Sequence, residues 1–267
     1  MEIPLQLNQE NLQELENRMP VPKYTRASDT SGIVHIGVGG FHRAHLAYYL
    51  HQLKNDGAAP TWGICGIGLR EADNKLYDIF KKQDHLYTLM VKHPNGKIEP
   101  EVIGSIVDFK MGTTDPEPVI ARMAAAETKI VSLTITEGGY NFNPNTGEFN
   151  FDNPDIQHEL QNPQDPKTVY GFLTAALKRR RDARLPAFTV LSCDNIEHNG
   201  DMVHKMLLAF AEAQNSDLAK WIAKEVSFPN SMVDRITPVT TQSDIEFLEK
   251  TYGLKDEWPA DGLRLKK

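Results

Sequence analysis

Apolar residues along this chain fall into two kinds of pattern, short continuous runs and stripes at helical spacing. Gly32-Ile-Val-His-Ile36 reads as a short buried strand, and just beyond it Leu46, Tyr49, Leu50 and Leu53 stand at i, i+3, i+4, i+7, the apolar stripe of a helix. Trp62-Gly-Ile-Cys-Gly-Ile-Gly-Leu69 is apolar throughout, as expected of a parallel strand buried on both faces. A helix is expected from Glu71 to Lys82. Tyr87–Val91 and Val102–Val107 read as paired strands around Pro94-Asn-Gly96, since Asn-Gly is a strong hairpin signal. Asp115-Pro116 opens a helix through Ala126. Lys129–Thr136 and Ala187–Cys193 are the third and fourth core strands, with a surface excursion over Asn141–Asn153 between them. Asp165-Pro166 is read as capping a helix with the stripe Val169, Phe172, Leu173, Ala176. A further helix carries Val203, Met206, Leu207 and Phe210, and Thr241-x-x-Asp244 opens the last one as a capping box. Strands alternating with helices mean βαβ units, hence an α/β fold with a doubly wound, mostly parallel sheet. The hairpin reads as an insertion into it.

Composition narrows this picture only slightly. The 267 residues are 40% hydrophobic and 24% charged, ordinary for a globular chain. No apolar run is long enough to span a bilayer, and the first residues lack the basic and apolar regions of a signal peptide. The two cysteines, Cys65 and Cys193, lie in apolar runs and are expected as buried free thiols of a reducing, cytoplasmic setting. A net charge of −7 argues against nucleic acid as a partner. The basic cluster Lys178–Arg181 is read as a solvated C-terminal helical turn.

The candidate chemistry lies where strands hand over to helices. Gly37-Val-Gly-Gly-Phe-His-Arg-Ala-His45 joins the first strand to the first helix. Gly37 would permit a tight turn and Gly39 a close approach of phosphate to backbone, so a dinucleotide's pyrophosphate suits this crossing. In G-x-G-x-x-G the third glycine would fall at His42, and a bare G-x-G is equally an ordinary glycine turn. After the second strand, Glu71 and Asp73 are candidates for the adenosine ribose, and a carboxylate there favours NAD over NADP; Arg70 beside them suits a 2′-phosphate instead. Glu137, in Thr136-Glu-Gly-Gly-Tyr140, follows the third strand at the edge where open α/β sheets bind ligands, or is a plain turn carboxylate. Asn195 leaves the fourth strand at the same edge, with an amide that both donates and accepts. His198 is expected in the turn before the next helix. Val226–Pro238 completes the set.

These stretches together resemble the polyol-specific long-chain dehydrogenases. That family writes its phosphate loop as G-x-G-x-F-H-R-x-H, which accounts for His42. It carries the same Glu-Gly-Gly, a C-D-N…N-G matched by Cys193–Asn195 and Asn199-Gly200, and a signature centred on Val233-Asp-Arg-Ile236. The likeness runs through about Pro259 and is greatest to the fungal-type, mannitol-oxidising branch. It implies a Rossmann-type fold with NAD as cofactor. Gly37, Val38, Gly39, Gly40, Phe41, His42, Arg43, Asp73, Val233 and Asp234 are the residues expected to bind it. Asn195 is implied as part of the oxyanion site and Glu137 as a supporting proton relay, with no metal. The implied reaction is hydride transfer between D-mannitol and D-fructose; a hexuronate reductase, or an inactive NAD-binding fragment, are the alternatives. The expected partner is a small polyol, with no nucleic acid or membrane, and family members are often monomeric. The expected organisation is an arm over 1–31, the NAD-binding domain over 32–259 and a divergent tail over 260–267. The family's catalytic lysine belongs to a helical substrate domain, which by this reading lies beyond Lys267.

Overall fold

The computed structural model describes residues 4–26, 30–233 and 235–263. In chain order the elements are β1 (Leu5–Gln6), α1 (Leu12–Leu15), β2 (Thr30–Ile36), α2 (Gly40–Ala44), α3 (Leu46–Asn55), β3 (Trp62–Gly68), a 3-10 turn (Glu71–Asp73), α4 (Asn74–Lys82), β4 (Tyr87–Lys92), β5 (Ile98–Ile103), β6 (Ile106–Met111), α5 (Glu117–Ala124), β7 (Ile130–Leu133), α6 (Thr136–Gly139), α7 (Pro154–Gln161), α8 (Val169–Asp182), β8 (Thr189–Ser192), α9 (Asn199–Gln214), α10 (Ser216–Glu225), α11 (Gln242–Tyr252), β9 (Leu254–Lys255) and β10 (Ala260–Leu263).

Five parallel strands form the main sheet in the order β6-β3-β2-β7-β8. The chain starts in the middle at β2, runs outward through β3 to β6, then returns to β7 on the other side. This is the Rossmann-type doubly wound order, and it reverses between β2 and β7, where the ligand crevice of such sheets opens. One core packs α5, α8, α9 and α10 on the sheet through residues such as Val119, Leu173, Met206 and Ile222. A second, around Leu50, Phe80, Tyr87 and Phe109, joins α3 and α4 to the sheet and the hairpin. No helix among the described residues is long and apolar enough to cross a membrane.

The hairpin is present, with β4 and β5 antiparallel from Tyr87↔Ile103 to Lys92↔Ile98. Its second arm is not Val102–Val107 as the apolar run suggested. The run divides at Gly104-Ser105, where the Ser105 hydroxyl donates to the Ala47 carbonyl at 2.6 Å, and Ile106 begins β6 in the other sheet. Residues 260–263 pair in parallel with β4 as β10, completing a three-stranded sheet β10-β4-β5.

The stripe on α3 is also displaced. Tyr49 and Leu53 are exposed, while Ala47, Leu50, His51 and Lys54 face inward. The buried polar groups are partnered, which removes the cost of burying them. Lys54 Nζ donates to the Trp62 carbonyl at 2.7 Å, and His51 meets Tyr24 Oη at 2.8 Å and Glu101 at 3.1 Å. The helix expected after Asp165-Pro166 starts at Val169, because the buried Glu159 carboxylate accepts the Lys167 and Thr168 amides. Helices α7 and α10 had no counterpart in the apolar pattern.

Candidate functional site

A cavity of about 540 Å³ opens at the C-terminal edge of β2, β3, β7 and β8. Gly37, Gly39, Gly40 and Phe41 line one side; Leu69, Arg70 and Asp73 a second; Thr134–Thr136, Asn195 and Val233 others. Gly37 has φ +92°, and a Cβ there would lie 2.2 Å from the Thr134 carbonyl oxygen, so only glycine makes this turn. The Gly37 amide donates to Ile67 O at 3.1 Å, and Gly39 N donates to Gly37 O at 2.8 Å. Gly40 then opens α2, whose first-turn amides have no intrahelical acceptor.

Asp73 stands beyond the end of β3. Its Oδ2 accepts the Leu69 and Arg70 amides, both at 3.1 Å, and Oδ1 takes Arg70 Nη2 at 3.0 Å. The carboxylate thus holds the turn and forms part of the cavity wall. Glu71 is exposed and accepts from Asn74.

The opposite wall is held by Asp194, a residue whose part the sequence pattern did not reveal. Its Oδ2 and Oδ1 accept the Ile135 and Thr136 amides at 3.0 and 2.9 Å, and Tyr140 Oη donates to Oδ2 at 2.9 Å. Thr136 sits at φ +60°, strained for a β-branched residue, and this carboxylate anchors it. The Val226–Pro238 stretch is latched on by Asn199, which donates to Asp194 O and Ser231 O and accepts Ser231 N at 2.9 Å. Asn230 caps the start of α9 by accepting the Gly200 and Asp201 amides. That latch brings Val233 to the cavity.

The expected site residues separate into two groups. Gly37, Gly39, Gly40, Phe41, Asp73, Asn195 and Val233 line the cavity. Val38 packs into the core beneath it. The side chains of His42 and Arg43 turn away. His42 is buried under the turn, and the Arg43 guanidinium donates to Trp258 O at 2.5 Å and lies 5.4 Å from the Tyr87 ring centre, in a desolvated pocket that pulls its pKa down. Arg43 is therefore a strut between the loop and the 254–263 segment, because the short α2 points it at the hairpin sheet. Glu137 is exposed on α6, with its neighbours Gly138 and Gly139 at the wall. His198 is exposed outside the cavity, at φ +53° before α9, with Asp201 3.5 Å away. Asp234 lies outside the described residues. Asn141, Asn153, Lys167 and Thr168, from loops, and Asp155, from the first turn of α7, also line it and were not among the expected site residues. Among the described residues no cluster of three or more His, Cys, Asp or Glu is gathered for a metal ion.

Comparison with known proteins agrees with this geometry. The family profile described as mannitol dehydrogenase Rossmann domain matches residues 31–260. The mannitol 2-dehydrogenase of Aspergillus terreus is 48% identical over 263 residues, which is 96% of this chain and 52% of that protein. That of Phaeosphaeria nodorum is 48% identical over 255 residues, 96% of this chain and 44% of the relative. The Pseudomonas fluorescens mannitol 2-dehydrogenase, solved as a ternary complex with NAD and D-mannitol, superposes with a TM-score of 0.94 at 48% identity over 97% of this chain and 53% of that one. A D-sorbitol dehydrogenase in substrate-free form gives 0.92 at 41%, over 97% and 54%. The chain spans about half the length of the curated relatives it matches. With the doubly wound sheet, the glycine crossing and a profile match over most of its length, the chain belongs to the mannitol dehydrogenase family and carries that family's Rossmann domain.

Proposed function

We propose that these residues are the nucleotide-binding part of an NAD-dependent polyol dehydrogenase that interconverts D-mannitol and D-fructose. The observation that carries the reading is the cavity at the β2/β7 reversal, walled by bare glycine backbone. A Cβ at Gly40 would meet nothing within 4 Å, and one at Gly39 only the Gly37 carbonyl at 3.9 Å, so the wall leaves room for a pyrophosphate against main chain. Asp73, at the β3 side, suits the adenosine ribose hydroxyls and repels a 2′-phosphate. Val233 and Asn195 stand across the reversal, on the side proposed for the nicotinamide. The names of the relatives, and the ternary complex of the Pseudomonas fluorescens enzyme with NAD and D-mannitol, support the same assignment. The D-sorbitol relative favours a second hexitol as the alternative substrate.

NAD would supply the hydride acceptor. The chain's own residues would hold and orient. The Asn195 amide would hold a substrate oxygen but is no base, and the exposed Glu137 would serve only as a support. Residues 32–259 are proposed as the nucleotide unit and 1–31 as its arm. The test is calorimetry of NAD binding to the wild type and to Gly39→Val. The valine has room within the protein but enters the proposed phosphate path, so affinity should fall tenfold or more, about 1.4 kcal/mol. Equal affinity in a folded variant would remove the glycine turn from the site.

A further inference from the structure

His42 stands where the usual dinucleotide fingerprint has its third glycine, the one that lets helix and strand pack closely. Its ring lies on that of His35 from β2, centroids 3.4 Å apart and planes 14° apart. Both histidines are buried, and neither ring nitrogen of His42 has a hydrogen-bond partner among the described residues. An unpaired buried polar atom is unfavourable in a folded protein. What the structure shows for this ring is the stack on His35 rather than a hydrogen bond.

His35, in contrast, is fully partnered. Its Nδ1 meets Ser132 Oγ at 2.8 Å, and its Nε2 meets Thr134 Oγ1 at 3.0 Å and the Gly37 carbonyl at 3.3 Å. Thr134 Oγ1 itself donates to Gly37 O at 2.6 Å. The threonine has one hydroxyl proton and commits it to Gly37, so His35 Nε2 must carry a hydrogen, and Nδ1 accepts from Ser132. Burial holds His35 down to about 3, so the ring stays neutral and this tautomer persists at ordinary pH. The network ends on the one carbonyl that closes the glycine turn.

We infer that His35 and Thr134 are positioning residues that fix the Gly37–Gly40 turn for the dinucleotide, and that the His42 ring stacked on His35 is the spacer that replaces the third glycine. The inference rests on the cofactor reading for its purpose, but the positioning itself is measurable without ligand. Thr134→Val keeps the shape and removes the hydroxyl, and Thr134→Ser restores it. Amide hydrogen exchange over residues 37–40 of the unliganded protein should quicken two- to tenfold in the valine variant, as losing one net hydrogen bond implies. It should stay within about twofold of wild type in the serine variant. NAD affinity, read by calorimetry, should follow the same order. His42→Gly recreates G-x-G-x-x-G and should also quicken exchange, because the spacer is gone. If Thr134→Val melts below the assay temperature, Ser132→Ala, which frees His35 Nδ1, should give a smaller change of the same sign. Unchanged exchange in the folded valine variant overturns the Thr134 assignment, and unchanged exchange in His42→Gly overturns the spacer. A wild type that gives no heat with NAD would sink the cofactor reading while the exchange series still decides this one.

Discussion

At the scale of single residues the two loop glycines make opposite demands. Gly37 combines a positive φ with a Cβ position 2.2 Å from a backbone oxygen, so Gly37→Ala must move β7 or the turn. Destabilisation above about 3 kcal/mol is expected, in the range reserved for backbone conflict, and urea melts will show it; a loss under about 1 kcal/mol would mean the turn readily reshapes. Gly39 has no such conflict, which is why it serves as the binding probe. Asp73 does two jobs at once. Replacing it with alanine would strip acceptors from the Leu69 and Arg70 amides as well as the charge. Asp73→Ser keeps one acceptor on a short side chain and removes the charge, so it should narrow the NAD/NADP affinity ratio with little loss of stability. A ratio that stays put would shift selectivity to another group. The pattern placed Asp73 correctly near the end of a strand, yet its amide contacts depend on how the chain bends after Gly68.

At the scale of elements, β10 brings a buried carboxylate beside the hairpin. Asp261 Oδ2 accepts from Lys92 Nζ at 3.0 Å, and Asp244, from the α11 capping box, takes the same ammonium at 2.7 Å. Burial, with the nearby Asp244 charge, outweighs Lys92 and pushes Asp261 up to about 6. Burial pushes Asp244 up too, but hydrogen bonds from Lys92 and Thr241 prevail and hold it down to about 2. The folded protein therefore binds the Asp261 proton more tightly than the unfolded chain does, whose aspartates titrate near ~3.9. The stability this contributes is complete below that lower value and is lost as pH rises through about 6. Asp261→Asn removes the cost of the charged form and leaves Lys92 paired with Asp244. It should raise the melting temperature more at pH 8 than at pH 5, and the reverse order in thermal melts would contradict the assignment.

At the scale of the whole molecule, the 232–239 stretch presents apolar side chains to solvent, Met232 at 92%, Val239 at 87% and Ile236 at 57% exposure. Expressed as these 267 residues alone, the protein is expected to self-associate through such surface. Changing all three to serine should lower the mass measured by sedimentation if that stretch is the contact. Besides the Asn195 amide, the cavity wall carries Asp194, Asp155 and Lys167; Asp194 is already committed to two amides and a tyrosine, and Lys167 Nζ donates to Asp165 at 2.8 Å. A polyol hydroxyl needs a base within about 2.6–3.2 Å, and its loss costs roughly 10²–10⁴ in rate. Mannitol oxidation by the 267 residues alone should thus sit near background in an NADH assay. Turnover near ~1 per second, typical of working enzymes, would place the base within this chain.

The alternation of strands and helices, the crossing at Gly37–Gly40 and the family likeness were legible in the residues alone, because these depend on local spacing and on residue types that few backbones tolerate. The inward face of α3 was decided only by tertiary structure, since His51 and Lys54 are buried by partners on other segments and apolar spacing is blind to a satisfied polar group. The division of one apolar run between β5 and β6 was decided the same way, by which sheet each half joins. So was the separation of the loop motif into Gly39, Gly40 and Phe41 at the cavity and His42 and Arg43 behind it, because a side chain's direction follows from the packing of α2 between the main sheet and the hairpin.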